Sequence, residues 1–209
     1  MKAYALIAAF LCITAMAAES TIQLPTPQIH GKSNLQELLQ NRQSTRVFDD
    51  EPLSEQQLAN LLWSAYGVNR DDGKLTVPAA LNRHAFTLYL LTAQGVMQYD
   101  NKNGTLTKVL DKDIRAMAEG RKTLGPAAGA TVLLVADTTI FNDIPGNGDF
   151  MLGVEAGAIC QNIYLYAASE GLNALCAGSL DAAGIAEALS LPATRRPFLT
   201  MILGKKPVR

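Results

Sequence analysis

The segment from Asp149 to Gly171 constrains the fold more than any other part of the chain, because its apolar residues fall on nearly every side of a helix. A helix of that kind has to be buried, so the segment predicts a long helix at the centre of the molecule. Gly153 and Gly157, about one turn apart, would let another helix pack closely against it. Gln161 and Asn162 need hydrogen-bond partners in so apolar a helix, and we expect these partners across an interface or at a ligand.

Two further helices are marked by serine residues at their starts. Ser33 and Ser54 are each followed three residues later by glutamine, Gln36 and Gln57, which is the spacing of a capping box. The second helix should end before Gly67. The predicted apolar faces consist of Leu35, Leu38 and Leu39 in the first helix and of Leu58, Leu61, Leu62 and Ala65 in the second.

Several short segments have the composition of β-strands. Residues 85–93 form one, and residues 96–110 contain two alternating runs around Asn103-Gly104 that predict a hairpin. The continuous apolar run at 131–137 predicts a central strand. Strands and helices mix without a regular strand–helix–strand alternation, so we predict an α+β fold in one domain. The predicted order is completed by a segment at 172–180, a short helix at 182–189 and a strand at 198–203.

Composition and missing motifs exclude several classes of protein. Hydrophobic residues make up 48% and charged residues 18% of the chain, which argues against disorder. The formal net charge of −1 provides no basic surface for nucleic acid. The phosphate-binding loop of nucleotide hydrolases and the Gly-x-Ser-x-Gly turn of serine hydrolases are both missing. His30, His84 and the cysteines lack the spacing of a metal site, so no metal is predicted.

The amino-terminal residues have the pattern of a secretory signal peptide. Lys2 precedes an uncharged run from Ala3 to Ala18, and Ala15-Met16-Ala17 has the small-x-small spacing that signal peptidase recognises. A buried helix, a membrane anchor shorter than the roughly 20 residues that span a bilayer, and a cytoplasmic protein with an unusual apolar start are the alternatives. The predicted organisation is a signal peptide at 1–17, an extended arm at 18–33 and a single domain at 34–209, exported to the periplasm without a stable membrane span after cleavage.

Cys160 and Cys176 remain after removal of the predicted signal peptide, which contains Cys12. Export would permit a disulfide between the two remaining cysteines. Two buried thiols are the alternative. A scaffold built on disulfides would carry many more cysteines, so the chain does not belong to that class.

The run Arg42-Gln43-Ser44-Thr45-Arg46 is the sharpest local candidate for a binding site. In an extended chain, residues i, i+2 and i+4 share one face. Arg42, Ser44 and Arg46 would then place two guanidinium groups around a hydroxyl, which suits a phosphate. The alternative is an exposed basic loop that pairs with the acidic residues at 49–51.

A second candidate is Pro78-Ala79-Ala80-Leu81-Asn82, directly before a predicted strand. Small side chains there would let a flat ligand approach the backbone. The Asn82 amide offers a donor and an acceptor to the polar edge of a base or flavin. A loop with a capping asparagine is the alternative.

The order of these motifs resembles the nitroreductase family of FMN oxidoreductases over about residues 35–209. The hairpin, with the sequence MQYD at 97–100, is similar to the branch related to azoline-forming peptide dehydrogenases. The pieces that carry the family resemblance are RQSTR at 42–46, PAALN at 78–82, EAGAICQNIYLYAASEGL at 155–172, CAGSLD at 176–181 and LGKKP at 203–207.

The resemblance implies FMN as the cofactor and a nitroreductase-like fold, with a mainly antiparallel central sheet flanked by helices. It also implies the residues that hold FMN. These are Arg42, Gln43, Ser44 and Arg46 for the phosphate and ribityl chain, Pro78, Ala79 and Asn82 beside the isoalloxazine, Ala177 and Gly178 near flavin N5, and Lys205, Lys206 and Arg209 at the carboxyl end near the phosphate.

The resemblance further implies an intertwined homodimer with FMN at the subunit interface. The implied activity is transfer of hydride between FMN and a small organic substrate, for which no catalytic side chain is predicted, because the flavin carries the chemistry. Ala177 occupies a position that is acidic in many nitroreductases, so tuning of the flavin should differ. Export would remove the chain from NAD(P)H, the usual donor. The alternative function is a flavin-binding or partner-interaction module without turnover.

Overall fold

The structure is a computed structural model that describes residues 20–28, 34–49, 51–119 and 128–207. The predicted signal peptide at 1–17 lies outside the described residues. So do the predicted N-cap Ser33 and the candidate site residue Arg209, together with parts of the predicted arm at 18–33.

Seven strands in the described ranges form one sheet. They are β1 (Thr21–Gln23), β2 (Phe86–Thr92), β3 (Gly95–Asp100), β4 (Thr105–Leu110), β5 (Ala130–Asp137), β6 (Asn173–Ala177) and β7 (Arg195–Gly204). The order across the sheet is β1-β4-β3-β2-β5-β7-β6, and every neighbouring pair is antiparallel. The pairing of β3 with β4 confirms the predicted hairpin.

Helices cover both faces of the sheet. They are α1 (Leu35–Asn41), α2 (Glu55–Tyr66), α3 (Arg115–Ala118), α4 (Gly148–Ser169) and α5 (Ala182–Ala188). Alternate residues of β5 enter opposite cores, with Val132 and Leu134 in the core of α2 and α4, and Leu133 and Val135 in the core of α3 and α5. All four side chains are fully buried, which explains the continuous apolar run and confirms a central strand in an α+β fold.

One of the two predicted capping boxes is present. The Ser54 side chain accepts a hydrogen bond from the Gln57 N–H, and the Gln57 side chain accepts one from the Ser54 N–H. The capping box predicted with Ser33 is wrong, because α1 begins at Leu35 and its N-cap is Asn34. The Asn34 side chain accepts from the Glu37 N–H at 2.9 Å, and asparagine caps a helix at least as well as serine.

The long helix α4 is buried on one side only, which corrects the prediction of burial all round. Ile159 and Ile163 are fully buried in the core of α2 and the sheet, whereas Phe150 and Val154 are 66% and 53% exposed. The apolar residues of α4 encircle the helix, but the sheet and the neighbouring helices of this chain cover only one side of it.

The exposed side of α4 is a line of residues that we call the α4 stripe, consisting of Phe150, Gly153, Val154, Gly157 and Gln161. A Cβ added at either glycine would meet nothing within 4 Å in the described chain. The neighbouring helix α1 also exposes Leu35 and Leu39, at 57% and 50%. The part of the chain that the structure describes therefore leaves an apolar surface on these two helices uncovered.

Polar groups interrupt the buried side of α4. Asn162 donates from its side chain to the carbonyl oxygens of Ser64 and Thr76, at 3.0 and 3.3 Å. Its partners therefore lie within the chain, which corrects the expectation of partners across an interface or at a ligand. In the described ranges, neither α4 nor another helix has the length and apolar character needed to cross a membrane.

Candidate functional site

An irregular segment at 42–49 follows α1 and lies along β6 and the end of β7. The Thr45 N–H donates to the Ala174 carbonyl at 2.8 Å, and the Thr45 hydroxyl accepts from the Ala174 N–H at 2.9 Å. The Asp49 N–H donates to the Lys205 carbonyl at 3.0 Å. These bonds place the basic segment beside the carboxyl-terminal residues of the domain.

Tyr164 of α4 connects this segment to β6. Its hydroxyl lies 2.8 Å from the Ser44 hydroxyl and accepts a hydrogen bond from the Cys176 N–H, also at 2.8 Å. The Arg42 guanidinium lies over the Tyr164 ring, 5.3 Å from its centroid, within the range of a cation–π interaction. Arg42 and Ser44 thus meet at one aromatic side chain that the sequence analysis did not single out. The phenols of Tyr164 and Tyr166 in a largely apolar helical segment were the available signal.

A cleft of about 470 Å³ lies beside Tyr164 and is lined by Gln43, Lys206 and the acid Glu37 among others. Among the described residues, neither Arg42 nor Arg46 is in an ion pair. The uncompensated Arg42 guanidinium next to the Ser44 hydroxyl, with Lys206 in the adjacent cleft, forms a donor set suited to an anion with several oxygens.

Lys205 differs from the other candidate cations because its ammonium is already compensated. It forms an ion pair with Glu51. The Asp49 carboxylate accepts a hydrogen bond from the Glu51 N–H at 2.9 Å, and Asp50 lies outside the described residues. Glu51 therefore pairs with a lysine at the end of β7 rather than with the basic segment.

Other parts of the described chain offer weaker chemistry for a ligand. A cleft of about 620 Å³, lined by Asn60, Trp63, Asn162 and Glu170 among others, contains no lysine, arginine or histidine. Within the same ranges, no three His, Cys, Asp or Glu side chains come together as metal ligands. The smaller cleft beside Tyr164 is therefore the candidate for an anionic ligand.

Ala177 and Gly178 lie at the end of β6, next to the Tyr164 contact. The Ala177 carbonyl accepts from the Thr200 hydroxyl at 3.3 Å, and a Cβ at Gly178 would lie 3.3 Å from the Leu199 side chain. Since Cys176 binds Tyr164, these two residues are adjacent to the group formed by Arg42 and Ser44.

The segment Pro78–Asn82 precedes β2 and ends in a single 3₁₀ turn, Ala80–Asn82. Leu81 and Asn82 both have left-handed backbone conformations, with φ of 54° and 55°, which are costly for residues with a side chain. Leu81 is 68% exposed. The turn therefore has an unusual backbone conformation at the surface, and the residues that follow it along the chain hold it in place.

The buried carboxylate of Glu155 holds the residues that follow this turn. Glu155 is 1% exposed and accepts hydrogen bonds from the Tyr66 hydroxyl at 2.8 Å and the Ala85 N–H at 3.1 Å. Its Oε1 also lies 3.0 Å from His84 Nδ1. Burial, and then the charge of Glu155, raise the pKa of Tyr66, so this phenol stays a donor. An acid in the middle of the largely apolar segment 149–171 was the sequence signal for this network, and it was missed.

The candidate residues form two groups at different positions along α4. One group contacts Tyr164, and the Pro78–Asn82 turn is held through Glu155. The step of nine residues from Glu155 to Tyr164 corresponds to about 13 Å of helix. Within one chain, the described contacts do not bring Pro78, Ala79 or Asn82 to the other candidates, and their shared role stays a prediction.

Comparison with known proteins identifies the class. A model of the nitroreductase family matches residues 39–205. A protein of Methanocaldococcus jannaschii named "Putative nitroreductase" is 26% identical over 196 residues, covering 89% of this chain and 98% of that protein. The chain belongs to the nitroreductase family, and it is an oxidoreductase. The azoline-related branch stays a prediction.

Solved structures agree with this assignment. The crystal structure of a "putative nitroreductase" from Ralstonia eutropha JMP134 is similar with a TM-score of 0.85 and 32% identity, covering 90% of each chain. A "Putative NADH Oxidase" from Clostridium acetobutylicum has the same fold, with a TM-score of 0.57 and 18% identity over 82% of this chain and 89% of that one. The nitroreductase-like fold with its antiparallel sheet is thereby confirmed.

Replacing Glu155 by glutamine should lower the stability of the fold. An amide has one acceptor oxygen where the carboxylate has two, so its NH₂ group would take the place of one oxygen and face either Tyr66 and His84 or the Ala85 N–H. We expect the free energy of unfolding to fall by about 1–3 kcal/mol, the usual cost of an unsatisfied buried group, in urea titrations at neutral pH.

Glu187→Gln is the matched control, because Glu187 is an exposed acid on α5. Its unfolding midpoint should stay close to that of the wild type. Equal midpoints for Glu155→Gln and Glu187→Gln would show that the carboxylate does not hold the turn.

Proposed function

We propose that this oxidoreductase is an exported, homodimeric flavoprotein that binds FMN and exchanges hydride between FMN and a small organic substrate. The observation that carries the proposal is the donor set beside Tyr164, where the Arg42 guanidinium lies over the ring, the Ser44 hydroxyl is 2.8 Å from the phenol, and Lys206 lines the same cleft as Gln43. Arg46 is exposed two residues further along the same segment and has no ion-pair partner among the described residues. Such a set matches the dianionic phosphate of FMN.

The residues present fit an FMN phosphate chemically. Arg42 and Arg46 can donate to phosphate oxygens, Ser44 offers a hydroxyl, and Lys206 adds a point charge. The Arg42 guanidinium is already oriented by the Tyr164 ring, which reduces the entropy lost on binding. Lys205 contributes less, because Glu51 compensates its charge.

The second part of the proposed site is the exposed turn with Pro78, Ala79 and Asn82. Small side chains and a backbone held in an unusual conformation let a flat ring approach closely, and the Asn82 amide suits the polar edge of the ring. Bound FMN would supply the hydride chemistry through its ring system. The protein would supply position and electrostatics, with Ala177 and Gly178 at the β6 end offering backbone N–H groups.

A second copy of the chain would complete the site. The two groups of candidate residues are separated along α4, and the largely apolar α4 stripe runs along the same helix, uncovered by the described part of the chain. Gly153 and Gly157 would let the α4 helix of a second copy approach closely. Packing of two stripes would bury Phe150 and Val154 and bring sites from both copies to one interface.

Export is proposed from the signal-peptide pattern at residues 1–17. A protein outside the cytoplasm would not meet NAD(P)H, so the proposed enzyme would take electrons from a different small donor or oxidise its substrate directly. The name of the Clostridium acetobutylicum neighbour refers to NADH, and the present proposal differs from it in the donor.

Purified protein should be yellow because it contains FMN, and its affinity for FMN should depend on two arginines. Arg42→Ala combined with Arg46→Ala should weaken FMN binding by at least about a hundredfold, because charge-assisted hydrogen bonds contribute about 1.5–3 kcal/mol each. The measurement is titration of the apoprotein with FMN, followed by visible absorbance and fluorescence.

Lys102→Ala combined with Lys112→Ala is the control, since it removes two exposed charges elsewhere. It should bind FMN like the wild type. Wild-type protein that takes up no FMN would exclude the proposal. Bound FMN that can be neither reduced nor reoxidised would favour a binding module without turnover.

Gly157→Leu should disrupt the dimer without harming the single chain. A Cβ there meets no atom within 4 Å in the described chain, and leucine has a better helix propensity than glycine by up to about 1 kcal/mol, but its side chain would hold two stripes apart. Light scattering after size-exclusion chromatography should give the mass of two chains for the wild type and one for the variant.

Ala183→Leu, at an exposed position of α5, is the control and should remain dimeric. A monomeric wild type would refute the homodimer. A Gly157→Leu variant that remains dimeric would show that the dimer interface does not involve the α4 stripe.

Protein isolated from its native cells should begin at Ala18. Amino-terminal sequencing tests this prediction, and Ala17→Arg should block processing, because the cleavage site requires small residues. An intact Met1 in a soluble fraction would instead support a cytoplasmic oxidoreductase.

A further inference from the structure

Cys160 and Cys176 are two thiols in contact at the boundary between α4 and β6. Both are free, and their sulfur atoms lie 3.8 Å apart. Cys160 is 5% exposed, whereas Cys176 is half-buried. Because a disulfide bond is about 2.05 Å long, the two sulfurs need to approach each other by nearly 2 Å. No intervening residue separates them, since they already share a hydrogen bond.

We propose that Cys160 and Cys176 form a reversible dithiol–disulfide site that takes a small disulfide of the glutathione type as its oxidant and cross-links α4 to β6. The proposal rests on the thiol geometry alone and does not require FMN. It assigns a covalent modification to a pair of residues that the proposed hydride transfer does not use.

Cys176 is the thiol that attacks the oxidant, because its side chain is the more accessible of the two. The hydrogen bond with Cys160 lowers the pKa of Cys176, which increases the fraction of reactive thiolate. The same hydrogen bond, together with burial, raises the pKa of Cys160. Cys160 is therefore the resolving thiol, reached only from within the protein.

The reaction is a pair of thiol–disulfide exchanges. Cys176 loses its proton, and its sulfur attacks one sulfur of the oxidant, forming a mixed disulfide and releasing the first small thiol. Cys160 then loses its proton and attacks the Cys176 sulfur, which breaks the mixed disulfide and releases the second small thiol. Two electrons and two protons pass from the protein to the oxidant, which leaves as two thiols.

The cross-link would act next to the anion-binding residues. The Cys176 N–H donates to Tyr164, and Tyr164 contacts Ser44 and Arg42. Tyr164 lies about one turn beyond Cys160 on the same helix. Oxidation would therefore fix α4 to β6 covalently beside the Tyr164–Cys176 hydrogen bond that connects them in the reduced protein, and it would restrict the unfolded chain as well.

The experiment exposes the folded full chain to oxidised glutathione, blocks remaining thiols by alkylation, and digests the product with a Glu-specific protease. Glu155, Glu170 and Glu187 place the two cysteines in separate fragments, 156–170 and 171–187. Mass spectrometry should find these fragments joined and should find them separate after reduction. Two alkylated fragments, or either fragment joined to the Cys12 fragment instead, would overturn the proposal.

Single variants test the order of the two steps. Cys160→Ser should stop at a glutathione adduct on Cys176, whereas Cys176→Ser should give no adduct on Cys160. The urea midpoint of the wild type should rise on oxidation, and this rise should vanish in both variants and persist in Cys12→Ser. An adduct on Cys160 in Cys176→Ser, or an equal rise in both variants, would contradict the assignment. Far-UV circular dichroism of each reduced variant confirms that it is folded.

Discussion

Burial of one side of α4 against the antiparallel sheet is the constraint on which the other features depend. The helix supplies Ile159 and Ile163 to the main core, and the alternating residues of β5 complete that core from the sheet side. Because α4 is apolar all round, its other side presents Phe150 and Val154 to the surface. The same helix thus organises the interior of the chain and defines the surface on which the proposed second copy packs.

Two polar side chains on α4 position the candidate site. An acid or a phenol within an apolar helix is stable only with hydrogen-bond partners. Glu155 takes its partners from α2 and from the loop before β2, and Tyr164 takes its partners from the segment after α1 and from β6. Glu155 binds the residues after the Pro78–Asn82 turn, and Tyr164 binds Ser44 and β6. The hydrogen bonds of the Glu155 carboxylate and the Tyr164 hydroxyl therefore hold the two loops that carry motifs of the nitroreductase family.

Sequence patterns predicted correctly those structural elements that are determined by residues close together in the chain. The Ser54 capping box, the hairpin at Asn103-Gly104 and the central strand at 131–137 each follow from residues close together in the chain, and the structure confirms them. The burial of α4 was predicted wrongly, because hydrophobicity indicates that a side chain needs cover but not which chain provides it.

The candidate site could be predicted only in part for a related reason. The basic run at 42–46 is visible as a cluster of charges, whereas Tyr164 and Glu155 acquire their roles from partners 120 and 70 residues away in the chain. The N-cap at Asn34 was missed by one residue, since Ser33 and Asn34 are both good caps. Family resemblance supplied the connection between motifs that spacing alone does not provide.

The short strand β1 has a consequence for the solubility of the protein. Only three residues of β1 pair with β4, with Thr21 opposite Thr107 and Gln23 opposite Thr105. Their backbone still binds N–H and C=O groups of β4 that an open sheet edge would offer to another chain. A strand of only three residues, two of them polar, is itself a poor template for further strand addition. Loss of these residues by proteolysis would leave β4 as an unpaired edge strand, and the protein would then be prone to aggregate by strand pairing between chains.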